Sequence, residues 1–419
     1  MWIRNKFEKD TKSQTVIGYE AGYDSYDHTN VPIMSWCEDL EDSALLQAIN
    51  LGNHPAIFHH VAIMPDSHMG YGMPIGGVIA CKDHVIPMAV GMDINCGILS
   101  IETKLHIDEI MPHIHEIREN IKRAVPVGMR WNQQPSYHPI FDLAPISQFM
   151  SRNLIKEAKK QLGTLGGGNH FIEFQTDEND MVHIMIHCGS RNFGKKIAEY
   201  YHGLALIAGE NYFSNVPDKD LSVLPIDSKY GKEYIPAMEF TGTFARTNRS
   251  VIADIVIMEI GNCVGSFEIV EEYDIHHNYA NLENHFGENV WVHRKGATSA
   301  RKGEIGIIAG SQGTPSYIVR GKGSESSFCS CSHGAGRPMS RTKASKILVE
   351  EDCNDSMKGI IHDGWGVNRK GDIDLSEAPE AYNDIHQVMD AQTDLVDIVK
   401  ELKPFAGIKD KTKEKENNR

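Results

Sequence analysis

The stretch SFCSCSHGAGRPMSR (residues 327–341) places Cys329, Cys331 and His333 close together, directly before a run of small residues. A structural zinc site needs a second pair of ligands, and the sequence offers no such pair at the required spacing. The C-x-C spacing is also too short for an unstrained disulfide in most backbones. The stretch therefore predicts that Cys329 and Cys331 are small buried thiols.

His333 is the residue of this stretch that points to chemistry. Gly334, Ala335 and Gly336 add almost no side-chain bulk, so their backbone N–H groups can approach a phosphate closely. Arg337 supplies a positive charge just beyond them. This arrangement predicts a phosphate-binding loop next to His333.

The composition is that of a globular protein. Of 419 residues, 41% are hydrophobic and 24% are charged, which excludes wholesale disorder. The longest apolar runs, such as VIADIVIMEI (251–260), are about half of the roughly 20 residues that a membrane helix needs. No apolar signal segment opens the sequence, and the eight cysteines are not spaced as a disulfide framework. We therefore expect a cytoplasmic protein.

Positive charge is concentrated in one part of the chain. The formal net charge is −15, which argues against a general nucleic-acid coat protein. Between His293 and Lys346, however, ten lysine and arginine residues stand against only Glu304 and Glu325. Scattered surface charge explains any single one of these residues, but the concentration predicts a local anion site.

The order of apolar patterns predicts an α+β fold. Helices and strands come in blocks without regular βαβ alternation, and no linker divides the chain, so we expect one catalytic domain over residues 1–409 with mixed or antiparallel sheets flanked by helices. Residues 208–235 are expected to form a peripheral insert, and residues 410–419 a charged tail. The predicted helices lie near 38–52, 107–125, 151–162, 195–209, 236–263, 340–360 and 380–402. The predicted strands lie at 171–175, at 182–188, within 267–321, and, broken by loops, within 56–64 and 76–90.

Several other small-residue loops carry ligand-type side chains. A lone histidine at a strand end is usually a core or surface residue, so each loop taken singly is a weak signal. Taken together, one carboxylate, one thiolate and three imidazoles form a mixed donor set for Mn²⁺ or Zn²⁺, in which the thiolate could bridge two ions. The predicted ligands are Asp93, Cys96, His170, His187 and His277.

GSRNFGKK (189–196) matches the G-x-x-x-x-G-K part of a nucleotide-binding P-loop. Lys196, however, stands where a P-loop needs a serine or threonine to reach Mg²⁺. The surrounding βαβ pattern is missing as well. We therefore interpret this segment as an ordinary strand-to-helix connection.

The motifs resemble, in order, those of the RtcB family of RNA ligases. The resemblance runs from about residue 50 to residue 410. It rests on MPDSHMGYGMPIGG, DINCG, LGTLGGGNHFIE, HCGSR, HHNY, RKGATSA, GSQGTPSYIVRG, FCSCSHGAGRPMSR, EAPEAYNDI and GIKD. It implies a GTP-dependent ligase with two Mn²⁺ ions and an α+β fold of its own, which joins RNA ending in a 3′-phosphate or 2′,3′-cyclic phosphate to RNA with a 5′-hydroxyl.

The resemblance also implies roles for individual residues. His333 falls on the position of the nucleophile that carries GMP, and Asp66 on a position close to the metals that could orient a ligand or the incoming hydroxyl. The five predicted ligands fall on the metal positions, with Cys96 on the bridging one. The implied guanylate contacts are Asn169, His170, Phe171, Ile172, Glu173, His277, Asn278, Ala309, Gly310, Ser311, Gln312, Ser316, His333, Gly334, Ala335, Gly336 and Lys409. From the basic residues we expect RNA contacts at Arg191, Arg294, Lys295, Arg337 and Arg341.

Two departures from the family pattern touch the nucleotide positions. Relatives usually have Pro-Gly-Ser-Met-Gly where this chain has Ala-Gly-Ser-Gln-Gly at 309–313. The family also tends to end at Lys-Gly, whereas Asp410 follows Lys409 here. Both changes could alter the affinity for the nucleotide and the preference for its base.

Two other functions stay open from the sequence. A metal-dependent RNA phosphoesterase could use the same ligands without a covalent nucleotide, and a non-catalytic RNA-repair subunit could keep the fold alone. The physiological RNA is equally open between tRNA splicing and repair of tRNA or ribosomal RNA. We also expect the protein to be a monomer and to have an archease-type activating partner.

Overall fold

Two large β-sheets form the centre of the structure, a computed structural model that describes residues 15–17, 29–145, 147, 149–211, 215–367 and 371–411. The strands are β1 (Thr15–Ile17), β2 (Ile33–Ser35), β3 (Ile57–His68), β4 (Ile75–Cys81), β5 (His84–Val85), β6 (Gly97–His106), β7 (Phe171–Thr176), β8 (Met181–Cys188), β9 (Leu224–Pro225), β10 (Ile269–His276), β11 (Asn278–His285), β12 (Glu288–Lys295), β13 (Ala297–Ser299), β14 (Ile305–Ile308), β15 (Ser316–Gly321), β16 (Ser330–Ser332), β17 (Gly366–Val367), β18 (Ile373–Asp374) and β19 (Val396–Lys409).

Helices cover and connect these sheets. They are α1 (Asp42–Gly52), α2 (Pro87–Val90), α3 (Ile107–Ile110), α4 (Ile114–Ala124), α5 (Arg152–Gln161), α6 (Arg191–Asn211), α7 (Lys229–Val264), α8 (Arg341–Ile347), α9 (Glu350–Ser356) and α10 (Ile385–Asp390). None of the helices in the described ranges is both long and apolar enough to cross a membrane.

The strand order confirms the predicted α+β class. One sheet has seven strands in the order β10-β6-β8-β7-β19-β15-β14, and every neighbouring pair is antiparallel. The other has six strands in the order β1-β2-β3-β4-β12-β11, of which only β2 and β3 pair in parallel. Both sheets therefore combine strands that lie far apart in the sequence.

The α4 helix shows how sequence spacing creates the core. Ile114, Ile117 and Ile121 recur at helical spacing and are fully buried in the largest core cluster, together with strand residues of the seven-stranded sheet. Burial of each isoleucine contributes about 1.5–3 kcal/mol. Arg118, on the same helix, donates from Nε to the carbonyl of Gly407 at 3.1 Å, which fixes α4 to β19.

The long helix α7 reaches the edge of the seven-stranded sheet through Arg249. The Arg249 side chain is fully buried and pairs with Asp274 of β10 at 2.6 Å. Its Nη1 also donates to the carbonyls of Asn95 at 3.0 Å and Cys188 at 2.8 Å. A buried guanidinium requires such partners, and here they tie β10, the loop before β6 and the end of β8 together.

The predicted helix over 380–402 is wrong in its second half. Only Ile385–Asp390 is helical, whereas Val396–Lys409 is a strand. Pro404 cannot continue a helix, and β19 fills the centre of the sheet between β7 and β15, where tertiary pairing overrides local spacing. Within the predicted range 76–90, strands cover residues up to Cys81 and His84–Val85, whereas Pro87–Val90 forms a short helix that begins at the proline.

The domain predictions for 208–235 and 410–419 stay predictions. Within the described part of 208–235, Leu221 and Leu224 are fully buried and β9 pairs with β5. The charged tail falls on residues 410–419, of which 412–419 lie outside the described residues.

Candidate metal and nucleotide site

The predicted ligands meet at one edge of the seven-stranded sheet. Asp93 and Cys96 lie just before β6, His170 just before β7, His187 near the end of β8, and His277 between β10 and β11. Because these strands are antiparallel neighbours, the starts of β6 and β7 adjoin the ends of β8 and β10. The sheet register thus collects side chains from four places in the sequence.

Three of these residues form a compact buried cluster. Cys96, His170 and His187 each offer one donor atom, and the three atoms lie within 4.8 Å of one another. Cys96 Sγ is 3.4 Å from His170 Nε2 and 3.3 Å from His187 Nε2. Asp93 Oδ2 lies 3.0 Å from His170 Nε2, and the rings of His187 and His277 are 5.1 Å apart. All five predicted ligands are therefore neighbours.

The orientation of His170 suits a metal ion. Its Nδ1 lies 2.9 Å from the carbonyl of Leu165. A hydrogen bond from Nδ1–H to this carbonyl leaves the lone pair on Nε2, the atom that faces Cys96 and Asp93. Burial, with the charge of Asp93, raises the pKa of the Cys96 thiol to about 12. A cation is what such a thiol needs to become a thiolate, so the donor set fits a divalent ion.

The Asp93 carboxylate is held by the turn after β8. Its Oδ1 accepts hydrogen bonds from the Ser190 backbone N–H at 2.8 Å and hydroxyl at 3.2 Å. Burial opposes ionisation, but the contact with His170 outweighs it and holds the pKa of Asp93 below its usual range. Gly189 leaves the necessary room, since a Cβ there would lie 2.2 Å from Asp93 Oδ1.

His333 lies beside this cluster and against the six-stranded sheet. Its ring centroid is 4.6 Å from that of His277, and its Nδ1 is 2.7 Å from Oδ2 of Asp66 at the end of β3. The backbone N–H groups of His333 and Gly334 donate to the same oxygen at 3.2 Å. Gly336 has φ of 68°, and a Cβ there would lie 2.1 Å from the Asp66 carbonyl. The small residues thus let the loop lie directly on β3.

Several predicted guanylate contacts line a cavity next to the cluster. Its walls include Phe171, Glu173, Gln312 and Lys409, while the Ile172 side chain packs in the core. Burial raises the pKa of Glu173 to about 8. A neighbouring cleft shares Gln312 and Lys409 and continues to Arg341 and Trp365.

The loop over 309–316 joins this cavity to His333. The Ala309 N–H donates to the His333 carbonyl at 3.2 Å. Ser316 Oγ accepts from Gly310 N–H and from the Gln175 amide, both at 3.1 Å, and Ser311 Oγ lies 2.9 Å from Thr314 Oγ1. The serines therefore shape the loop through their own hydrogen bonds.

The two asparagines predicted to contact guanylate, Asn169 and Asn278, have different neighbours. Asn278 donates to the Asp93 carbonyl at 3.0 Å and accepts from Gly296 N–H at 2.8 Å, so it connects two loops of the site. Asn169 is half-buried beside His170.

Two basic residues of the window 293–346 are buried and pair with groups inside the chain. Arg294 is fully buried and paired with Glu283 at 2.5 Å, and Lys295 is buried with its Nζ 2.6 Å from the Tyr71 carbonyl and 3.0 Å from that of Met88. The RNA contacts at Arg294 and Lys295 stay predictions, but in this structure both charges meet partners within the chain, which a count of charges in the sequence does not reveal.

The remaining predicted RNA contacts lie nearer the site. Arg191 Nη1 is 3.2 Å from His170 Nδ1 and its Nη2 donates to the Gly128 carbonyl. Arg337 is buried, whereas the Arg341 side chain is 43% exposed. Of this set, Arg341 is the side chain best placed to meet a ligand from solvent.

Glu377 is a site residue that the sequence did not predict. Its carboxylate contacts Arg337 at 2.6 Å, Arg341 at 2.7 Å and Lys409 at 3.1 Å, and Tyr382 also donates to it. These cations outweigh burial and hold the pKa of Glu377 below its usual range. The EAPEAY motif was the available signal, but its partners come from distant segments.

The cysteines of the FCSCSH stretch stay apart from the cluster. Cys331 is buried in β16 with its Sγ 3.0 Å from Thr298 Oγ1, and Cys329 is half-buried. Both are free thiols. Cys331 is buried as predicted, whereas Cys329 is more exposed than the prediction of a buried thiol.

Comparison with known proteins identifies the family. The family model described as tRNA-splicing ligase RtcB matches residues 47–144 and 142–410. The chain is 38% identical to the RNA-splicing ligase RtcB of Escherichia coli K12, covering 91% of this chain and 98% of the relative. It is 34% identical to the tRNA-splicing ligase RtcB of Nanoarchaeum equitans (91% and 95%) and 33% identical to that of Pyrobaculum aerophilum (84% and 87%). The chain therefore belongs to the RtcB family.

Proposed function

We propose that this protein is a GTP- and Mn²⁺-dependent RNA ligase that joins a 3′-phosphate or 2′,3′-cyclic phosphate end to a 5′-hydroxyl end, with His333 as the nucleophile that carries GMP. The relatives that it matches are named RNA-splicing or tRNA-splicing ligases. The observation that carries the proposal is the position of His333, between the Asp66 carboxylate and the Cys96–His170–His187 cluster.

Asp66 supports His333 as a nucleophile. A carboxylate beside Nδ1 favours the tautomer with the proton on that nitrogen, which leaves the lone pair on Nε2 for attack. The 2.7 Å contact is not aligned as a hydrogen bond in this structure, and in this proposal the ring rotates to align it when the nucleotide is bound. Asp66 therefore acts in this proposal on the orientation and proton of His333.

The proposed reaction has three steps. His333 Nε2 attacks the α-phosphorus of GTP, so that an N–P bond forms while the bond to pyrophosphate breaks. The RNA 3′-phosphate then attacks this phosphorus, takes GMP and frees the histidine. Finally the 5′-hydroxyl attacks the activated 3′-phosphate, GMP leaves, and a phosphodiester remains. A cyclic end must first be hydrolysed to the 3′-monophosphate.

Asp93, Cys96, His170, His187 and His277 would hold the metal ions. Bound divalent ions supply positive charge that stabilises phosphate oxygens and leaving groups. In this proposal the loop 334–336 and the cavity that contains Glu173 and Lys409 receive the nucleotide. The expectations of a tRNA or rRNA substrate, an archease-type activator, a monomer and a cytoplasmic location remain predictions.

A ligation assay separates this function from its alternatives. The purified chain is incubated with Mn²⁺ and two RNA fragments, one ending in a 2′,3′-cyclic phosphate and one beginning with a 5′-hydroxyl, with and without GTP. We expect joined RNA only with GTP, and none from His333→Ala. Hydrolysis of the cyclic phosphate without joining, equal in the two proteins and independent of GTP, would instead establish a phosphoesterase.

A further inference from the structure

A second group of ligand-type side chains lies away from the proposed catalytic site. Glu102 of β6, His183 of β8 and Asp177, directly after β7, each offer one donor atom, and these atoms lie within 4.8 Å of one another. Glu102 is the direct cross-strand partner of His183. Side chains of a strand alternate between faces, so His183 shares a face with His187, about 13 Å further along β8. The group is therefore separate from the cluster around Cys96.

Lys400 supplies the positive charge of this group. Its Nζ lies 2.8 Å from Glu102 Oε2 and 3.6 Å from Asp177 Oδ2. The Asp177 and His183 side chains are only 4% and 2% exposed, whereas that of Lys400 is 21% exposed. Burial thus fixes the Asp177 and His183 side chains, whereas Glu102 is 22% exposed and the long lysine side chain can withdraw toward solvent.

His183 is the member of this group that does not pair with the Lys400 ammonium. Its Nε2 is buried, has no hydrogen-bond partner, and lies 3.5 Å from Asp177 Oδ2. Buried polar atoms are almost always satisfied, so an unpartnered ring nitrogen 3.5 Å from the Asp177 carboxylate points to a missing ligand. The other oxygen of Asp177 accepts from the N–H groups of Asn179 and Met181, which holds the carboxylate in place.

We propose that Glu102, Asp177 and His183 bind a divalent transition-metal ion in place of the Lys400 ammonium. One imidazole with two carboxylates is a donor set that suits Mn²⁺ or Zn²⁺. The ligands come from three neighbouring strands, so the ion would fix the turn between β7 and β8 against β6. Such an ion stabilises the folded chain because it binds little to the unfolded one. This inference does not rest on the proposed ligase function.

Mn²⁺ binding to the full-length chain tests the proposal. The double variant Cys96→Ala/His187→Ala removes the thiolate and one imidazole of the first cluster, and free Mn²⁺ is then followed by electron paramagnetic resonance during a titration. We expect one ion still to bind. Addition of His183→Gln should weaken that binding by about ten-fold or more, since even outer ligand partners contribute this much. Absence of a bound ion in the double variant, or equal binding with His183→Gln, would overturn the proposal.

Two further variants complete the test. His202 also lies 3.5 Å from a single aspartate, Asp220, but belongs to none of the ligand groups found among the described residues. In the same background His202→Gln should leave Mn²⁺ binding unchanged, and an equal loss there would overturn the assignment. Lys400→Met removes the competing ammonium and should tighten binding. Unchanged or weaker binding in that variant would contradict a site shared between lysine and metal.

Discussion

His333 Nδ1 lies 2.7 Å from the buried Asp66 carboxylate, although the two residues are 267 positions apart in the sequence. The same carboxylate oxygen accepts the backbone N–H groups of His333 and Gly334. Asp66 therefore fixes both the imidazole and the start of the loop that follows it. These contacts assign Asp66 the role of positioning His333 and its loop, which the sequence motif alone does not specify.

Asp66→Asn should slow the transfer of GMP to His333 without unfolding the protein. Asparagine keeps the shape and one acceptor oxygen but removes the charge that favours the reactive tautomer. A hydrogen bond to a charged group contributes about 1.5–3 kcal/mol, so we expect a rate about ten-fold to a hundred-fold lower. Single-turnover labelling with GTP measures this rate. A wild-type rate in Asp66→Asn would remove the carboxylate from the mechanism.

Cys96→Ala and Cys329→Ala should behave differently. Cys96 Sγ lies between two imidazoles, whereas Cys329 is half-buried outside the cluster. Loss of the thiolate should abolish Mn²⁺-dependent labelling, while Cys329→Ala should retain most of it. Gel analysis of both variants after incubation with labelled GTP makes the comparison. Equal loss from the two would show that the cysteine before His333 takes part.

Gly189→Ala should disrupt the predicted metal-ligand cluster, because the added methyl group would displace the Asp93 carboxylate. The added Cβ would lie 2.2 Å from Asp93 Oδ1, so the carboxylate must move. We expect Mn²⁺ affinity to fall about ten-fold or more. Gly203→Ala is the matched control, because a Cβ on that α6 residue meets nothing within 4 Å. Calorimetric titration with Mn²⁺ compares the two, and similar affinities would contradict the close packing of Gly189 against Asp93.

The contribution of Lys295 to the free energy of unfolding should increase as the pH rises above about 7. Burial lowers the pKa of Lys295 to about 7, and its nitrogen has two carbonyl acceptors, which match the two N–H groups of a neutral amine. The unfolded chain keeps this proton up to its ordinary pKa of 10.5, so between about pH 7 and 10.5 the unfolded state binds more protons. The contribution to stability therefore rises with pH, by at most about 1.4 kcal/mol per unit.

Thermal unfolding checks this pH dependence. The difference in midpoint between wild type and Lys295→Met should change in favour of wild type from pH 7 to pH 9. Both proteins share all other titrating groups, so the variant is its own control for them. A constant difference across this range would mean that Lys295 remains protonated in the folded protein.

The sequence predicts the residues of the candidate site better than it predicts which residues lie at the protein surface. His170 and His187 could be found because motif loops carry them at strand ends, and the sheet register then brings those ends together. The position of β19 could not be found, since its local spacing is compatible with a helix and only pairing with β7 and β15 decides otherwise.

The partners of charged residues could not be predicted from the sequence either. Arg294 belongs to a basic window in the sequence, yet its partner Glu283 comes from the neighbouring strand β11. Glu377 meets Lys409 only because distant segments converge on one cleft. In both cases the fold, and not the local composition, decides whether a charge faces a ligand or a partner side chain.

Intact-protein mass spectrometry after incubation with GTP and Mn²⁺ tests the central claim most directly. We predict that the wild-type chain gains the mass of one GMP, that the adduct is labile to acid and stable to alkali, and that peptide mapping places it on His333. His333→Ala should gain nothing. A wild-type chain that stays unmodified with metal bound, or an adduct on another residue, would contradict the account.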